Sequence, residues 1–235
     1  GAKAWEPLHP GAAIANGARL RTDGGAVSLS LPAGGLMRLG DSTEMVFVSD
    51  AHLQLITGSA YIDSGAPDRR NRFTVETRFG AVRDIGTVFE VRAAPNALRV
   101  RVREGSVRLD APAGRLSIEG RAGEELQVDA KGAPRRGAFP TSGPDWAWAE
   151  ALAVAPNFDG QPLLRFLRWV ARETGRPLRF QESDGEAQAA SVVLHGSASD
   201  LKPLDALELM LAATDFDYAL GDDGAILIRR RAPAG

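Results

Sequence analysis

Between residues 16 and 129 apolar side chains recur at every second position in short runs, and each run stops at glycine or another turn former. A period of two places alternate side chains on opposite sides of an extended chain, so this stretch can form strands but not amphipathic helices. AVSLSL (26–31) sets Val27, Leu29 and Leu31 against small residues, and a turn at Pro32-Ala33-Gly34-Gly35 leads on to Met37 and Leu39. EMVFV, HLQLI, SAYI, RFTVET, GTVFEV, LRVRV, SVRL, RLSI and ELQV follow in the same manner. The spacing predicts an all-β domain. Glycine recurs in related phrases, ITGSAYI, REGSVRL and EGRAGEELQV, and this favours stacked, glycine-cornered coils of a β-solenoid type.

The sharpest case is LRVRVREGSVRL (98–109), in which Arg99, Arg101 and Arg103 alternate with Leu98, Val100 and Val102. An arginine stripe can meet a polyanion. Here no aromatic residues interleave with it, and the whole chain carries a net charge of −2. The expectation is a solvated strand face that also discourages edge-to-edge aggregation.

The grammar changes twice more. AKGAPRRGAFPTSGPD (130–145) is rich in proline and glycine and reads as a linker. Residues 146–231 read as a small α/β domain, preceded by a lead-in at 1–15 and followed by a tail at 232–235. Within it 146–154 suits a short helix. Leu163, Phe166, Leu167 and Val170 then make a helical stripe that starts at Pro162 and ends at Gly175. Pro203 opens a second helix bearing Leu204, Leu207, Met210 and Leu211. LRF (178–180) and SVVLHG (191–196) suit strands, and 216–220 with 225–228 suit a hairpin around Gly221-Asp222-Asp223-Gly224. The order β-α-β-β-α-β-β is that of a split βαβ unit.

Chemistry-bearing patterns are sparse. With no cysteine the chain has no thiolate nucleophile and no Cys-ligated zinc, and its 44% apolar and 25% charged residues suit a globular protein. His9, His52 and His195 lie far apart, and no nucleophile elbow, P-loop or H-E-x-x-H occurs. Asp84, Glu90 and Glu104 could supply the two facing carboxyls a glycosidase needs, but each has a plain reading on a solvated face or turn. The expectation is a non-enzyme with no cofactor, no metal and no catalytic residue.

FTVETRFGAVRDIGTVFEVR followed by LRVRVREGSVRL resembles the core of the FecR family. The matching positions are Phe73 and Val75, then Gly86, Thr87, Phe89 and Val91, then Val100, Val102, Glu104, Gly105 and Val107. LRTDGGAVSLSLPAGGLMRLGDSTEMVF, HLQLITGSAYID and AGEELQV resemble the family's entry, coil and closing phrases, although Ala33-Gly34-Gly35 departs from its acidic turn. Residues 157–180 and 192–228 resemble the short N-terminal domain of secretins and TonB-dependent receptors. The resemblance implies the periplasmic, signal-receiving region of a transmembrane sigma-factor regulator. The rest of such a protein would be anchored in the inner membrane, and its partner would be the signalling domain of an outer-membrane receptor, not nucleic acid. Such domains commonly dock by strand addition, for which Val192, Val193, Leu194 and His195, or Ala225, Ile226, Leu227 and Ile228, are the candidate strands. The competing reading is a non-regulatory envelope protein of the same fold that binds polysaccharide or peptidoglycan through Trp146, Trp148 and Trp169.

Overall fold

The computed structural model describes residues 5–31, 35–65, 73–111, 117–132, 134–198 and 201–231. The turn expected at Pro32–Gly34 lies outside them. The first section contains β1 (Arg19–Arg21), β2 (Val27–Ser30), β3 (Leu36–Leu39), β4 (Glu44–Ser49), β5 (His52–Asp63), β6 (Thr74–Thr77) and β7 (Gly80–Asp84). It continues through β8 (Val88–Ala94), β9 (Ala97–Glu104), β10 (Ser106–Asp110), β11 (Ser117–Arg121), β12 (Glu124–Asp129) and β13 (Pro134–Ala138).

These strands form two layers that share the long strand β5. One sheet, here sheet A, runs β1-β4-β5-β6-β7-β10-β11. The other, sheet B, runs β2-β3-β5-β8-β9-β12-β13. After β5 the chain lays successive hairpins alternately on the two sheets: β6–β7 on A, β8–β9 on B, β10–β11 on A and β12–β13 on B. Every ladder of this section is antiparallel except β5–β6. The stacked-coil expectation is therefore not met, because a solenoid of single coils needs parallel ladders. The glycines instead mark crossings between the sheets. At Gly105 (φ +75°) the chain leaves β9 for β10, and a Cβ there would stand 2.5 Å from the Gly86 carbonyl oxygen. The Glu104-Gly105 phrase and the Gly86-Thr87 phrase are thus two sides of one tight crossing.

Inward-facing residues of both sheets make one core, including Met37, Leu53, Phe73, Phe89, Val100, Val102 and Leu126. The expected linker is only partly one, since β13 adds to the edge of sheet B along β12. Beyond it a 3₁₀ turn (Pro144–Trp146) leads into α1 (Ala147–Glu150).

The C-terminal section holds α2 (Leu163–Thr174), β14 (Leu178–Phe180), α3 (Gly185–Ser191), α4 (Pro203–Ala212), β15 (Phe216–Leu220) and β16 (Ile226–Arg230). Helices α2 to α4 and the sheet β14-β16-β15 enclose a second apolar cluster around Phe166, Leu167, Leu207 and Ile228. Both helical stripes, the Gly175 cap and the 221–224 hairpin fall where expected.

Two expectations fail here. Residues 191–196 form no strand: α3 runs to Ser191, and Val193 makes only an isolated bridge to Pro162. That bridge keeps both of its flanking bonds, Leu163 N–H to the Val192 carbonyl and Leu194 N–H to the Gln161 carbonyl, but it cannot lengthen into a ladder because α2 begins at Leu163 and α3 ends at Ser191. Nor is β16 an open edge, because β14 pairs with it on one side and β15 on the other.

Candidate functional site

The outer face of sheet B, turned away from the core, is where the molecule concentrates its buried charge. Register places Arg38, Tyr61, Glu90, Arg101 and Glu125 in one row across β3, β5, β8, β9 and β12. A second row sets Asp63 on β5 and Glu104 on β9 either side of Val88. Between them the β8–β9 register slips at Val88/Phe89, which leaves Arg103 without an opposite number. Such a bulge re-aims the unpaired side chain.

Arg103 is 3% exposed, and its guanidinium reaches across both sections. Its Nε donates to the Thr141 carbonyl at 2.7 Å. Nη1 donates to the Glu173 carbonyl at 2.7 Å and to the Tyr61 hydroxyl at 3.2 Å, and Nη2 to Glu150. The Glu173 carbonyl belongs to the last turn of α2, where main-chain oxygens lack helical donors and a cation is favoured. Arg103 therefore caps a helix of the other section. The close fit continues at Gly175 (φ +63°), where a Cβ would lie 2.0 Å from the Thr141 carbonyl oxygen and 2.4 Å from Arg103 Nε.

Arg38 and Glu173 form a second cross-section contact, with Arg38 Nη2 at 3.0 Å from Oε1 and 2.8 Å from Oε2. Arg38 also lies over the Tyr61 ring, 5.2 Å from its centroid. Burial pushes the Glu173 carboxyl above its ordinary range, with Arg38 pulling the other way. Burial likewise pushes the Tyr61 phenol up to about 12 against the opposing charge of Arg103. Near the rim Arg172 forks onto Asp63 (Nε 2.8 Å, Nη2 2.5 Å) and donates from Nη1 to both Glu104 oxygens at 2.7 Å. Desolvation would lower its pKa, but the bonds and charge of Asp63 and Glu104 more than offset this and raise it.

The linker closes the remainder. Arg101 donates to Glu125 at 2.6 Å and to Asp145 at 3.3 Å, and stacks 3.6 Å from the Phe139 centroid. Glu90 accepts from Trp148 Nε1 at 3.1 Å and from Arg99 at 3.3 Å. Trp146 is buried against Tyr61 and Val88, with its Nε1 donating to the Pro140 carbonyl at 2.8 Å. Four arginines of the sheet face, Arg38, Arg99, Arg101 and Arg103, are thus met by two glutamates of the same face and by Asp145, Glu150 and Glu173 from the chain that covers it.

Several sequence expectations change. The arginine stripe is not solvated: its apolar partners face the core as expected, but Arg101 and Arg103 are buried beneath the linker and α2. Asp84 and Glu90 are buried too, Asp84 on the inner side of sheet A and Glu90 on the outer face of sheet B, so they cannot work together. Burial lifts Asp84 to about 6 despite the lowering pull of the Ser64 hydroxyl and neighbouring main-chain N–H groups. Val193 and His195 are exposed, Val192 is half-buried and Leu194 buried; Ala225, Ile226 and Ile228 are buried and Leu227 half-buried. Trp146, Trp148 and Trp169 pack within the molecule and form no exposed aromatic platform. His52 lies 3.1 Å from Glu76, and among the described residues no three His, Asp or Glu side chains gather as a metal site.

Sequence reasoning missed Arg38, Tyr61, Asp63 and Glu173. One signal was present: the α2 stripe through Leu163, Phe166, Leu167 and Val170 steps next onto Glu173 and Thr174. A carboxylate on a buried helical stripe requires a cation opposite it.

This architecture has relatives. Residues 18–108 match the model of the FecR protein family. No curated protein matches the chain. A candidate anti-sigma factor from Parabacteroides distasonis ATCC 8503, solved at 1.65 Å, aligns with a TM-score of 0.50 and 18% identity, covering 92% of this chain and 100% of that one. A 2.50 Å crystal structure, also of a candidate anti-sigma factor from that organism, aligns with a TM-score of 0.47 and 17% identity, covering 92% and 99%. At that identity the 1.65 Å structure shares the fold with this chain. Among the described residues no helix is long and apolar enough to cross a membrane.

Proposed function

We propose that the chain is the periplasmic, signal-receiving region of a FecR-like transmembrane sigma-factor regulator, and not an enzyme. Its partner is a protein, the signalling domain of an outer-membrane receptor, and the remainder of the regulator is anchored in the inner membrane. Residues 146–231 act as the receiving domain, of the kind found at the N-terminus of secretins and TonB-dependent receptors.

The observation that carries this reading is the clamp on sheet B. The FecR-matching section grips the C-terminus of α2 through Arg103, Arg38, Asp63 and Glu104. A load placed on the C-terminal section therefore reaches the β section through a contact that is short and charged, and dry at Arg38 and Arg103, where electrostatic interactions are strong.

Calorimetric titration of the chain with the isolated signalling domain of an outer-membrane receptor tests the proposal. One-to-one binding is expected, and it should weaken when the clamp is broken by Arg103→Met. Absence of binding to the receptor domain that accompanies this regulator would contradict it.

A further inference from the structure

The three-stranded sheet of the C-terminal section has two edges, β14 and β15, and they differ. In β15 the Asp215 carbonyl accepts from Arg231 and the Gly221 N–H donates to Ala225, so odd-numbered residues face β16. The outward N–H groups of Phe216 and Tyr218 are already occupied: they donate to Thr214 Oγ1 at 3.1 Å and to Asp217 Oδ1 at 2.8 Å. That edge is blunted by its own side chains.

In β14 the Pro177 carbonyl accepts from the Ile226 N–H at 2.8 Å, and the Gln181 N–H donates to Ile228 at 2.9 Å. Leu178 and Phe180 therefore turn their main-chain donors and acceptors away from β16, where no strand lies among the described residues. Space exists there. A cleft of about 500 Å³ runs from Arg103 and Glu104 past Arg168, Arg172 and Arg176 to Leu178. A second of about 600 Å³ continues from Arg168 and Leu178 along Arg179 and Phe180. The side chains of Leu178 and Phe180 are only half-buried.

We infer that the open edge of β14 is the docking site for an extended acidic segment of a partner protein, which adds to the sheet as a fourth strand. Main-chain bonds to Leu178 and Phe180 would supply affinity, and the flanking arginines would supply choice. The two clefts together are lined by five arginines and three carboxylates, Glu104, Glu182 and Glu186; Arg103, Arg168, Arg172 and Arg179 already pair with acidic side chains, so the excess positive charge is carried by Arg176. Arg176 donates to the Gly224 carbonyl at 2.8 Å and makes no ion pair among the described residues, so it is available to a carboxylate. Of the other sheet edges of this chain, β1 and β13 carry Arg19, Arg21, Arg135 and Arg136, β2 carries no charge, β11 sets Glu119 beside Arg121, and β15 is blunted as described, so a second copy offers no open acidic strand. The cleft also touches Arg103 and Arg172, so an added strand would sit directly on the clamp. The inference rests on the partner-binding reading above, yet it can fail alone.

Hydrogen exchange of the whole chain, resolved by residue, tests it with two probes: a ten-residue peptide alternating valine with glutamate, and its lysine counterpart. At saturation the glutamate peptide is expected to slow exchange at Leu178 and Phe180 by about tenfold or more and to leave β15 unchanged. Its affinity should fall about tenfold in Arg176→Glu and in Arg168→Glu, a loss of about 1.4 kcal/mol. Both variants should melt as cooperatively as the parent. Protection on β15, no protection at millimolar peptide, equal protection by the lysine peptide, or protection of β14 by self-association without peptide would each overturn the inference. A receptor signalling domain that binds while Leu178 and Phe180 exchange freely would overturn this edge and leave the proposed function standing.

Discussion

The two sheets of the β section obey the same alternation, yet their outer faces have opposite fates. Sheet A turns Gln54, Ile56, Glu76, Arg83 and Arg108 to solvent, and its pairs, such as Arg83 with Asp110, lie at the surface. Sheet B turns Arg38, Tyr61, Glu90, Arg101 and Arg103 outward from the core into a second interior made by the linker and α2. Of the buried charged residues described on the strands, four lie on this covered face, and sheet A contributes only Asp84, on its inner side. Alternation along a strand shows that two faces differ; it does not show which face is wet. What separates them is the supply of countercharges: Asp145, Glu150 and Glu173 arrive from distant sequence to meet the arginines of sheet B, and nothing comparable covers sheet A among the described residues.

This contrast can be broken or sharpened in order of effect. Arg103→Met leaves the Glu173 and Thr141 carbonyls and Glu150 without their donor, and should cost about 3–5 kcal/mol in urea unfolding, as loss of one partner from a buried charged network does. Should Arg103→Met cost no more than a surface change, the covered face would be no different from the open one. Asp84, held at about 6 when folded against an ordinary value of 3.8, binds a proton more readily folded than unfolded. Its contribution is therefore full below about pH 4 and is lost as pH rises through 6, by about 2–3 kcal/mol. Urea unfolding at pH 5 and pH 7 spans the upper part of that range and should show a difference of about 1 kcal/mol that shrinks in Asp84→Asn. Arg172→Lys gives up the fork onto Asp63 while keeping the charge. At 28% exposure of its side chain it should cost about 1 kcal/mol, less in high salt. Arg83→Ala, on the open face, should fall within about 0.5 kcal/mol of the parent by the same measurement.

Much of the fold was legible in the sequence, because local rules and tertiary structure agree there. Leu98, Val100 and Val102 face the core, Gly175 adopts the left-handed cap, and Gly221–Gly224 turns the last hairpin. The failures share one cause, which is dependence on a distant partner. Val192 to His195 have the composition of a strand, but the segment beside them passes straight from Pro162 into helix α2, and a helix cannot carry a ladder. Residues 134–138 look like linker, yet an open edge on β12 recruits them as β13. Helix α3 carries no apolar stripe, since only Gly185 and Ala189 are fully buried in it. The clamp was the least legible part, because Arg38 and Glu173 lie 135 residues apart and only Glu173, on the α2 stripe, carries a local sign of burial.

That pair also offers the most direct check on whether the two sections share one charged interface. A double-mutant cycle with Arg38→Met and Glu173→Met, read by urea unfolding, measures their coupling free of the other effects of each change. Seated together as described, the two side chains should couple by about 2 kcal/mol or more, with the double variant less damaged than the sum of the singles. Additive losses, with coupling below about 0.5 kcal/mol, would mean that α2 does not rest on sheet B in solution and that the two sections are not clamped together.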